Sequence, residues 1–108
     1  SKAVAAFVRA SAEGWKSYFA DPAPGNALIK KDNPNMSDEQ LVYSLSKLKQ
    51  MGIVAGGDAG KLGIGVITDA RVKATYDFGV GAKLVDPAKV KLADSYTTEF
   101  VRDLKVLP

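Results

Sequence analysis

The sequence predicts a mostly helical chain, and two observations predict it. Four stretches carry apolar residues at helical spacing behind a capping residue or a proline, and no run of strand length alternates apolar with polar. At 108 residues, 46% hydrophobic and 25% charged, residues 1–108 read as one helical segment, neither disordered nor collagen-like.

The first helix is expected from about Ala3 to Phe19. Val4, Phe7, Val8, Ser11, Trp15, Tyr18 and Phe19 recur at i, i+3, i+4 and i+7, while Lys2, Arg9, Glu13 and Lys16 fall largely opposite. At that spacing Trp15 reads as a core aromatic rather than a ligand-stacking one. Asp21-Pro22-Ala23-Pro24 ends the helix and restarts the chain. Asp21 suits a cap and Pro22 a first turn, so a short helix follows through Ile29 and Lys31.

Asp32-Asn33-Pro34-Asn35 is a turn cluster. Behind it, Ser37 and Gln40 have the spacing of a capping box, and Met36 and Leu41 that of a hydrophobic staple. Asp38 and Glu39 complement the helix dipole in the first turn, as Lys47 and Lys49 do in later turns. Leu41, Val42, Leu45, Leu48 and Met51 form the stripe of a helix over 38–51. Gly52 supplies a left-handed cap, with Ile53 set to return onto Leu48 in a Schellman ending.

Residues 55–65, AGGDAGKLGIG, hold five of the ten glycines and invite comparison with a phosphate-binding loop. The match fails. With Gly60-Lys61 as the GK pair, Ala55 stands where the first glycine belongs, and Leu62 replaces the Ser or Thr that would hold magnesium. Gly60, Gly63 and Gly65 also run in the wrong order for a dinucleotide fingerprint. A flexible connector between helices is the expectation for 55–65.

Thr68 caps the next helix, with Asp69 in its first turn and Ile67 and Val72 in staple positions. Val72, Tyr76 and Val80 face inward; Arg71, Lys73 and Asp77 face water. Asp86-Pro87 starts a turn or short helix through about Leu92. Asp94 or Ser95 caps a last helical stretch expected over roughly 97–104.

Several chemistries are excluded. There is no Cys and no His, hence no disulfide, no thiol nucleophile, no Cys/His zinc site and no imidazole base. Ser11, Ser37, Ser44 and Ser46 have no histidine to activate them. No acidic cluster has EF-hand spacing. A net charge of +3, with Lys47 and Lys49, and Arg71 and Lys73, pointing in different directions, gives no basic face for a nucleic acid. No stretch free of charge exceeds eight residues, too short to span a bilayer. The sequence assigns no catalytic, metal-binding or ligand-binding residue and implies no cofactor. An enzyme within this chain alone is not expected.

The order of features resembles a known family. AFVRASAEGWKSYFADPAPGNALIKKDNP (residues 6–34) and LGIGVITDARVKATYDF (62–78) look like the C-terminal part of ABC-transporter solute-binding proteins. Within these, the likeness is to the nitrate, sulfonate and taurine binders and the thiamine-pyrimidine-precursor binders. The F-x-R-A-x-x-x-G-W helix is carried by Phe7, Arg9, Ala10, Gly14 and Trp15. The D-P-A-x-x-N-A stretch is carried by Asp21, Pro22, Ala23, Asn26 and Ala27, and a G-x-x-T-D-x-R helix start by Gly65, Thr68, Asp69 and Arg71. Residues 79–94 match less well.

What the resemblance implies is a fragment: the helical C-terminal part of an α/β, two-lobed, periplasmic-binding-protein-like type II fold. Ser1-Lys2-Ala3-Val4, with neither an initiator Met nor a secretory signal, fits that expectation. The whole protein would be periplasmic, or lipid-anchored outside the cell, and would deliver a small solute to an ABC permease. Its pocket would lie between lobes, at strand ends outside this chain. The chain by itself is expected to self-associate and to bind no solute. Two alternatives stand beside this one: a pyrimidine-precursor synthase on the same fold, and a free-standing helical interaction module.

Overall fold

A computed structural model describes residues 1–108. Five α-helices follow in order: α1 (Lys2–Ala20), α2 (Ala23–Asp32), α3 (Asp38–Gln50), α4 (Asp58–Leu62) and α5 (Asp69–Gly81). A single 3₁₀ turn (Leu92–Asp94) comes last, and there is no strand.

The helix starts follow local chemistry. The Ser1 hydroxyl accepts from the Val4 amide at 3.3 Å and opens α1 one residue before the predicted start. Pro22 disfavours helical backbone at Asp21, which turns extended and ends α1. The Asp21 carboxylate then accepts from the Ala23 amide at 3.2 Å, so one residue closes α1 and helps to open α2. Ser37 accepts from the Gln40 amide at 3.1 Å, and Thr68 from the Arg71 amide at 3.2 Å.

The capping box before α3 is only half made. The Gln40 carboxamide reaches forward to the Ser44 hydroxyl at 3.0 Å instead of back to the cap. The end of α3 is the expected Schellman motif. Ile53 N–H donates to the Leu48 carbonyl at 3.1 Å and Gly52 N–H to Lys49 at 3.2 Å, with Gly52 at φ +63°.

Residues 55–65, expected as a flexible connector, hold α4 between two turns. Gly63, at φ +120°, lies where a Cβ would come within 3.0 Å of the Val106 backbone nitrogen. That close approach lets Ile64 N–H donate to the Val106 carbonyl at 2.8 Å, fastening the end of the chain beside α4. The principal core forms there: Ala12, Ile64 and Val106, flanked by Val54 and Leu104.

The last predicted helix is absent. Over 97–104 the chain makes separate turns, with Val101 and Arg102 amides both donating to the Thr98 carbonyl. Starting a helix is costly and eight residues are too few to recover that cost without packing. The Thr97 hydroxyl, moreover, accepts from the Glu99 amide at 3.2 Å and holds a turn there. The segment after α5 is pinned from both ends. Tyr76 donates to the Val90 carbonyl at 2.7 Å and Tyr96 to the Asp69 carboxylate at 2.6 Å.

Burial is sparse. Only 6 of 108 residues are buried, so the helices do not close around a common interior. On α5, Val72, Tyr76 and Val80 are half-buried as predicted. Elsewhere the predicted stripes are narrower than expected. On α1, Val4, Phe7 and Trp15 remain exposed; so do Val42 on α3, Met51 just after it, and Ile67 before α5.

Candidate functional site

An open groove of about 590 Å³ lies where α1, α2 and α3 converge. Trp15 and Tyr18 form one wall, from adjacent turns of α1. Ile29 of α2 also lines the groove, as do Leu41, Leu45 and Leu48 of α3. Met36 and Leu41, the staple pair read from the sequence, both line it.

Aromatic edges stiffen the α1 wall. The Trp15 ring stands edge-on to Tyr18 at 6.1 Å and to Phe19 at 6.0 Å, within the favourable range for such pairs. Trp15 nevertheless keeps 42% of its surface exposed, so it is a groove wall rather than the core aromatic its spacing suggests. Lys49 ties α3 to the end of α1: its ammonium donates to the Phe19 carbonyl at 3.1 Å and lies 5.5 Å from the Phe19 ring centre.

The polar side chains of the groove hydrogen-bond to other groups of the chain. The Tyr18 hydroxyl donates to Asn26 at 2.6 Å, the Ser11 hydroxyl to the Phe7 carbonyl at 2.8 Å, and the Ser44 hydroxyl accepts from Gln40. No charged side chain lines the groove. A small-molecule pocket needs a few convergent polar groups to orient its ligand, and an anion needs a cation or free N–H groups. This groove offers apolar surface instead.

The other candidates are also accounted for within the fold. At the start of α4, Asp58 pairs with Arg71 at 3.2 Å, placing a carboxylate where a phosphate-binding loop would need open N–H groups. Lys73 pairs with Asp77, and Lys47 donates to the Gln50 side chain at 3.1 Å, so the basic residues gather no common face. The Tyr96 phenol is raised above its usual value of 10.0. Its hydrogen bond to the Asp69 carboxylate is the main cause, followed by desolvation and the repulsion of that charge. That shift moves it away from the neutral range in which a general base works. No three acidic side chains gather as a metal site, and no helix is long and apolar enough to cross a membrane.

Compared with protein-family models, curated proteins and solved structures, the chain matches none.

Proposed function

We propose that the chain is the helical layer of a two-lobed, type II solute-binding protein. In that reading the whole protein captures a small solute of the nitrate, sulfonate, taurine or pyrimidine-precursor class outside the cytoplasmic membrane and passes it to an ABC permease. It catalyses nothing. The observation that carries the reading is a pair of motif residues with no role inside the chain. Phe7 is 74% exposed, and a Cβ on Gly14 would meet nothing within 4 Å. A mid-helix glycine costs about 1 kcal/mol against alanine, and an exposed phenylalanine forgoes roughly 1.5–3 kcal/mol of burial. Both make sense where a second layer, such as a sheet, lies close against α1.

The test is binding by the polypeptide that the complete reading frame around this chain encodes. Titration calorimetry with nitrate, taurine, an alkanesulfonate and an aminopyrimidine is expected to give saturable binding of one class, with the solute recovered unchanged. Binding of none of them would overturn the reading, and a chemically altered pyrimidine would replace it with the synthase. A free-standing interaction module is favoured by one observation, the uncharged groove lining. A reading frame encoding no sheet-forming sequence next to this chain would support that module instead.

A further inference from the structure

We propose that the 108-residue chain pairs with a second copy of itself through the open face of α1 and α3. The chain exposes 7908 Å², whereas a folded monomer of 11.4 kDa exposes about 5,800 Å². The excess of about 2,100 Å² per chain is well beyond the roughly 800 Å² each partner contributes to a standard interface, and falls within the range of obligate homodimers. Large apolar side chains are exposed along the whole chain, and on α1 and α3 they include Phe7, Trp15 and Val42.

The lining selects the occupant. A two-fold pairing sets the same patch against itself, so a patch carrying one sign of charge would repel its copy. No charged side chain lines this groove, and self-apposition therefore meets no such repulsion. An acidic or basic partner would find no counter-charge in it. Aromatic and Met side chains with charge depleted are also the make-up of a homodimer's buried centre. Trp15 lies at the middle, lining both this groove and a second hollow shared with Phe7, Val8 and Ile64. Tryptophan in such a position commonly dominates an interface energetically.

This inference rests on area and lining, not on the transport reading. Where further polypeptide supplies a sheet, the sheet takes the same face and pairing is displaced. Failure of the longer polypeptide to bind solute would therefore leave it untouched.

Sedimentation equilibrium from micromolar to millimolar concentration tests it on the wild type, Ser11→Glu and Lys73→Glu. Ser11 is exposed and lines both hollows, and glutamate is a good helix former, so circular dichroism should be unchanged. The wild type is expected to run as a dimer, Ser11→Glu to lose about tenfold or more in affinity, and Lys73→Glu on the wet face of α5 to match the wild type. Trp15 emission, shifting to shorter wavelength as concentration rises, reads the same event without any variant. A monomer throughout would overturn the proposal, as would a dimer as tight in Ser11→Glu as in the wild type. A monomer that floats with neutral phosphatidylcholine vesicles would overturn it in favour of a lipid surface.

Discussion

Tyr18 donates its phenolic hydrogen to the Asn26 carboxamide across 2.6 Å, and its ring occupies the space a side chain at residue 25 would need. The contact locks α2 onto α1 and gives Asn26 a structural task. Tyr18→Phe is expected to destabilise by about 1 kcal/mol, the net worth of a part-buried hydrogen bond. Gly25→Ala places a Cβ 2.9 Å from the Tyr18 ring and is expected to cost about 1–3 kcal/mol. Adding Tyr18→Ala to Gly25→Ala should recover that clash, so the two changes are non-additive. Urea unfolding midpoints of the single and double variants measure this, and strict additivity would disprove the lock.

Ser37 and Gln40 should separate in the same measurement. Ser37→Ala removes the acceptor of the Gln40 amide and is expected to cost about 1 kcal/mol. Gln40→Ala should cost only a few tenths, since its side chain forms an exposed link to Ser44 and returns nothing to the cap. Equal losses would mean that the reciprocal capping box forms in solution.

These features were legible because each involves residues within a few positions of one another. Ser37, Gly52 and Thr68 act on amides and carbonyls one turn away, and sequence spacing reports such contacts directly. The core was not legible. Ala12, Ile64 and Val106 lie far apart in the chain, joined through one backbone hydrogen bond and a glycine that admits the close approach. No period marks any of the three. Periodicity likewise located the apolar faces of α1 and α3 but not how much of each is covered, which depends on neighbours the spacing does not contain. The groove was half visible, through the Met36–Leu41 staple, while the α2 residues that complete it became apparent only once α2 folded back over Tyr18. Over 97–104 the pattern did not show that Thr97 would hold a turn at Glu99, or that Leu104 would reach the core from non-helical backbone.

The Tyr96–Asp69 hydrogen bond sets an alkaline limit. The folded phenol holds its proton more tightly than the unfolded one, whose usual value is 10.0. Its contribution to stability is therefore fully present below about pH 10 and lost as pH rises through the raised folded value. Phenolate absorbance should show Tyr96 titrating later than an exposed tyrosine, and Asp69→Asn should bring it back down. An unchanged titration curve in Asp69→Asn would rule out the carboxylate as the cause.

The chain by itself should bind no nitrate, sulfonate or aminopyrimidine. An anion needs a cation or free N–H groups, and the groove's lining has no charge. A pyrimidine could stack on Trp15, but orienting it requires donors and acceptors at the ring edge. The hydroxyls of Ser11 and Tyr18 already donate to Phe7 and Asn26. Redirecting either toward a ligand would break an internal bond to make an equivalent one, leaving the single Ser44 hydroxyl hydrogen and stacking on an open surface. Titration calorimetry and quenching of Trp15 emission should both stay flat to millimolar solute. Saturable micromolar binding, abolished by Trp15→Ala, would instead put a complete ligand site inside the groove.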